Sequence, residues 1–186
     1  MRTQLTKVIL GLILVTLSGG AVQAQTLEAA VQAKVDAKVK EVQAWASDPA
    51  IVGAVKQQNT TLPADYGAMT QDKWKTLSIL DPFVRSFTKN PAAVFLKGKK
   101  SDVVAESFLS DANGAKVAFL NKTTAWSHKG KPKHDVPMTG KTWQGAVEVD
   151  ESTGLQCVQV AVPVLDGDKP IGSLVVGLSI AKLGKE

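Results

Sequence analysis

The sequence predicts an α+β domain, with helices first and a roughly five-stranded antiparallel sheet after them. Three observations predict it. Leu27, Val31, Val35, Val39, Val42 and Ala46 recur at steps of three or four residues, the period of one helix face. The pairs Asp48-Pro49, Asp81-Pro82 and Asn90-Pro91 each put a capping side chain before a proline at the first helical position. From Val104 onward the apolar residues come instead in β-branched or alternating runs, separated by clusters of turn formers.

The elements follow in order. Arg2 and Lys7 form a basic n-region, 8–17 is an apolar h-region, and Val22-Gln23-Ala24 offers small residues for cleavage. Residues 1–24 are therefore expected to be a secretory signal peptide cut after Ala24. The apolar run is shorter than the ~20 residues a spanning helix needs. Removing it leaves 162 of the 186 residues, one domain over 25–186 that is large enough to bury a core. Ala, Lys, Gln and Glu fill the positions between the apolar stripe, so 26–46 reads as one long amphipathic helix. Its stripe either packs on the sheet or pairs with a second copy in a homodimer.

Short helices are expected at 49–58, 82–88 and 91–97, and another opened by Thr70 or Gln71 and running to 80. Between them 60–69, with Pro63, Tyr66 and Gly67, reads as a loop. Strands at 104–109 and 116–121 flank Ser110-Asp111-Ala112-Asn113-Gly114, whose Asn-Gly marks a hairpin. The polar stretch 127–142 is long for a structureless connection, and a helical turn is expected at 140–145. A meander of strands at 147–150, 155–165 and 170–178 closes the sheet around turns at 151–154 and 166–169. The last segment, 179–186, is too short and polar to span a membrane.

Composition narrows the function. The formal charge of +5 falls to +3 without Arg2 and Lys7, and the lysines are not interleaved with aromatics, which argues against nucleic-acid binding. The single cysteine, Cys157, lies mid-strand and reads as a small buried apolar residue; it excludes an intramolecular disulfide framework and a Cys-based metal site. Gly140-Lys141-Thr142 lacks the first glycine of a phosphate loop, and Ser179 with Lys182 lacks the companion motifs of a Ser-x-x-Lys enzyme. No catalysis is expected.

The Asp111–Gly114 turn, the tryptophan-bearing loop after it, Val162-Pro163-Val164, and Ile171-Gly172-Ser173-Leu174-Val175-Val176 in the last strand together resemble the single Cache domain. This is the PAS-like extracytoplasmic sensor module of bacterial chemoreceptors and histidine kinases. The resemblance extends over 26–180 and is most specific at 108–120 and 147–178. It implies a ligand site between the sheet and the covering layer, here 126–143 over the strands at 104–121 and 147–162. Such domains normally sit between two membrane helices. This chain is similar to the free-standing secreted form, which implies a periplasmic or secreted protein acting through a membrane-bound sensor kinase or chemoreceptor.

Trp126, His128, His134, Asp135, Met138 and Trp143 fall in that layer. An aromatic wall with a few polar groups suits a small molecule, because the rings exclude water and the hydrogen bonds fix orientation. Trp126 and Asp135 are the first candidates, with Tyr66 and Arg85 contributed by the helical layer. Arg85 would suit a carboxylate through its planar fork. Trp143, His128 and His134 complete the set, and the loop lysines at 129, 131, 133 and 141 favour an anion. His128, His134 and Asp135 could hold a divalent metal, but two imidazoles on a lysine-rich loop are a weak signal for one, and no cofactor is expected. The expected function is small-molecule sensing, of a carboxylate or an amino acid. The alternative is a ligand-free interaction module that regulates a membrane kinase or chemoreceptor.

Overall fold

The computed structural model describes residues 27–63, 65–149 and 156–185. The leader over 1–24 and the turn at 151–154 lie outside them. Helix α1 (Ala29–Ala46) is followed by α2 (Pro49–Thr60), α3 (Gln71–Thr76), α4 (Pro82–Ser86) and α5 (Pro91–Gly98). The predicted caps form. Asp48 accepts from the Ala50 amide at 2.9 Å, Asp81 from Phe83 at 2.8 Å and Asn90 from Ala93 at 2.8 Å, each with proline in the first turn. Thr70 caps α3 through the Lys73 amide.

The sheet comprises β1 (Val104–Asp111), β2 (Lys116–Phe119), β3 (Trp143–Val149), β4 (Gln156–Asp166) and β5 (Lys169–Ser179), in the order β2-β1-β5-β4-β3. Every pairing is antiparallel. A four-residue helix α6 (Pro132–Asp135) and a 3₁₀ turn (Pro137–Thr139) lie between β2 and β3, and α7 (Ile180–Leu183) follows β5.

Because side chains alternate across a strand, one sequence period builds two cores. Val158, Val160, Val162 and Val164 of β4, with Leu174, Val176 and Leu178 of β5, face α1, α2 and α5. The opposite phase, including Phe108, Ala161 and Val175, faces a second, aromatic core made with Tyr66, Trp74, Phe87, Phe119 and Trp126. In α1, Val35, Val42 and Ala46 are buried, and Val39 and, just before the helix, Leu27 pack beside them, so most of the apolar stripe is occupied within one chain.

Three expectations are corrected. Helix α3 stops at Thr76, because Leu77 turns extended and Ser78 caps a turn into α4 through the Leu80 and Asp81 amides. The stretch 140–145 is not helical: Gly140 ends the 3₁₀ turn in the left-handed region, and Trp143 and Gln144 already pair with Ala161 and Val160. The helical turns come earlier, at Pro132 and Pro137, the same proline signal that marks α2, α4 and α5. Strand β3 therefore begins at Trp143 instead of Val147.

Candidate ligand-binding cavity

The hairpin turn at 111–114 anchors the covering layer. Asp111 Oδ1 accepts the Asn113 and Ala115 amides, and the Gly114 amide bonds back to the Asp111 carbonyl. Gly114 sits at φ +75°, and a Cβ there would lie 2.4 Å from the Lys129 amide nitrogen. Only glycine allows the layer this approach. The layer then attaches through the His128 amide to the Gly114 carbonyl at 2.8 Å and through an Ala115–Ser127 bridge.

Between this layer and strands β1, β3 and β4 lies a cavity of about 500 Å³. Thr124, Ala125, His128, Lys131 and Lys133 line it from the layer, Glu106 and Phe108 from β1, Trp143 from β3, and Cys157 and Gln159 from β4. Its volume is within the ~300–1,000 Å³ common for small-molecule sites. A polar rail crosses its floor: Lys133 Nζ donates to Gln159 Oε1 at 2.6 Å, and Gln159 Nε2 donates to Glu106. Glycine at 177 makes room for this rail, since a Cβ there would stand 2.6 Å from Glu106 Cγ.

Beneath the cavity lies a buried basic pair. The His128 ring stacks on Phe108 at 4.6 Å with 19° between planes, and its Nδ1 meets Lys116 Nζ. Lys116 is 0% exposed and also lies over the Phe108 ring. Burial pushes the Lys116 amine well below its ordinary value, and the charge of Lys133 adds to that. Burial, then Lys116 and Lys133, hold His128 down at about 2.

The candidates named from sequence divide. His128 and Trp143 line the cavity. Trp126 and Tyr66 belong to the aromatic core, their rings 4.7 Å apart, and Tyr66 donates its hydroxyl to the Lys116 carbonyl. His134 is buried, with Nδ1 2.8 Å from Ser173 Oγ, and burial lowers its pKa. Asp135 is exposed and accepts the Gly130 amide at 3.0 Å, closing its own loop. Arg85 is exposed on α4 and lines neither this cavity nor the groove between α2 and α5. The two imidazoles serve different partners, and among the described residues no group of three or more His, Cys, Asp or Glu is placed to hold a metal.

Sequence reasoning missed Glu106, Phe108 and Gln159. The signal existed: Glu106 and Gln159 are polar residues on the same strand phase as Phe108 and Ala161, where a buried face would otherwise be apolar.

No protein-family model matches the chain, and no curated protein matches it. Among solved structures it is similar to the sensor domain of the V. cholerae histidine kinase DctB, at 14% identity and TM-score 0.48, covering 83% of this chain and 54% of that one. It is similar to the ligand-binding domain of the Pseudomonas aeruginosa PAO1 amino acid chemoreceptor PctC in complex with GABA, at 14% and 0.45, covering 83% and 57%. It is also similar to the E. coli DcuS sensor domain, at 12% and 0.49, covering 85% and 97%. The chain thus spans little more than half of the first two and nearly all of the third.

Proposed function

We propose that this chain is a Cache-type extracytoplasmic sensor domain that binds a small carboxylate or amino acid and acts through a partner, a membrane-bound sensor kinase or chemoreceptor. The cavity under the layer carries the reading. It pairs aromatic walls, Phe108 and Trp143, with a cationic side, Lys131 and Lys133, and two acidic groups, Glu106 and Glu148. Anions favour the first side, and a free ammonium has Glu106 within the same cavity. No helix among the described residues is long and apolar enough to cross a membrane.

In this reading a ligand bridges the layer, through Lys133 and His128, to β1 and β4. It favours the layer in its closed position, and a bound ligand shifts the population toward that state by its differential affinity. The layer is tied to the turn at 111–114, which also contacts α2 through Asn59 Oδ1 and the Ala112 amide at 3.0 Å. A change in the layer therefore has a bonded path to the helical face.

A thermal-shift screen with mono- and dicarboxylates and α-amino acids tests this. At 100 times Kd a ligand adds about 2.7 kcal/mol, or roughly 5–10 °C for a domain of this size. Lys133→Ala should reduce the shift. A broad screen without any shift would favour the interaction-module alternative and overturn the binding reading.

A further inference from the structure

Lys116 does not touch the cavity, yet it faces it through one ring. Its Nζ and His128 Nδ1 are hydrogen-bonded, and His128 forms part of the cavity wall. An ammonium only donates and an imidazole nitrogen accepts only when unprotonated, so the neutral pair can take up one proton, on Lys116 donating to a neutral His128, without breaking this contact. A second proton would set N–H against N–H. The cations around the pair oppose its protonation and the carboxylates favour it. Lys133 and His134 face it from α6, Lys131 from the loop before α6, and Glu106 and Asp111 from β1. The cations lie on the cavity side, and Lys133 already leans to Gln159.

We propose that Lys116 is a positioning residue for anion recognition: an anion entering between His128 and Lys133 is bound with uptake of a proton by the Lys116–His128 pair, so that the domain responds to ligand and to acidity together. The proposal rests on the cavity being the ligand site. The physical reason is charge compensation. An anion half-enclosed by protein needs a counter-charge within a few ångströms, and its field favours the protonated form of any base it faces. What the anion does to the pair's protonation, protonation does in equal measure to the anion's affinity. The sign follows: the bound state carries more protons than the free state, so affinity rises as pH falls.

The test is calorimetric titration with acetate, succinate and L-alanine between pH 6 and 8, in two cationic buffers of unlike ionisation enthalpy. Their difference in heat counts protons taken up. Expected is uptake of a fraction of a proton up to one per ligand, with affinity falling by up to about tenfold per pH unit as pH rises. Lys116→Met, and independently His128→Phe, which keeps a ring on Phe108, should cut the uptake and flatten the pH profile. Binding to the wild type without proton uptake overturns the proposal and leaves the ligand site standing. Uptake undiminished in either folded variant overturns it as well. If none of the three probes binds at any pH, the ligand reading fails and the proposal fails with it.

Discussion

Trp126→Ala separates a structural tryptophan from a ligand-contacting one. Its ring lies 4.7 Å from Tyr66, 5.1 Å from Trp74, 5.8 Å from Phe87 and 5.9 Å from Phe83, and the residue is 7% exposed. Truncation removes one partner from four aromatic pairs and leaves a void that rigid rings fill poorly. Large-to-small changes of this kind cost about 3–5 kcal/mol, a large part of the ~5–15 kcal/mol that holds a domain folded. For a domain of this length that is a fall in Tm of roughly 6–20 °C. The backbone amide of Trp126 remains bonded to Gln71 Oε1, so the loop entering the layer keeps one tether. The assay is urea unfolding followed by circular dichroism, beside the same measurement on Trp143→Ala. Trp143 is half-buried on the cavity wall, and its loss should cost about 1–2 kcal/mol and weaken ligand binding instead. A loss under about 1 kcal/mol for Trp126→Ala would refute the core assignment.

Other outcomes follow from the same contacts. Gly114→Ala places a Cβ 2.4 Å from a backbone nitrogen at positive φ, so melting should show a loss of about 2 kcal/mol or more; a neutral result would mean the layer is not seated on the turn. Gly177→Ala displaces Glu106, a movable side chain, and should lower ligand affinity more than stability, read by titration and melting on one sample. With acid the fold should weaken, because His128 stays neutral to about pH 2 while the unfolded chain takes up a proton below about 6.5. Its contribution is complete above pH 6.5 and is lost as pH falls, about 2–3 kcal/mol by pH 4.5. The urea midpoint should drop less steeply with acid in His128→Phe, and an identical slope would contradict a neutral buried imidazole. Lys116 runs the same way at higher pH: its amine is depressed, so its contribution is complete above the ordinary lysine value of about 10.5 and is lost as pH falls below it, and Lys116→Met should flatten that dependence.

The sequence alone determined whatever depends on neighbours along the chain. Asp48, Asp81 and Asn90 cap helices because their side chains reach amides two or three residues on, and the prolines after them need no amide partner. The Asp111–Gly114 turn and the alternation in β4 and β5 are equally local, and they specified the hairpin and the two-faced sheet. The stop of α3 and the start of β3 were misplaced, since Ser78 and the pairing of Trp143 with Ala161 act against continued local periodicity. Only the tertiary structure decided which ring meets a core and which meets the cavity. Trp126 and Trp143 read alike in a polar loop, and packing against Tyr66 and Trp74 in one case, and pairing into β3 in the other, sent them to different roles. Lys116 shows it most sharply. The sequence places Lys116 only at the start of a strand after a turn, and the layer tethered to Gly114 folds back over it and leaves it wholly buried beside His128. Burial is a property of what crosses overhead, and no spacing along β2 encodes that.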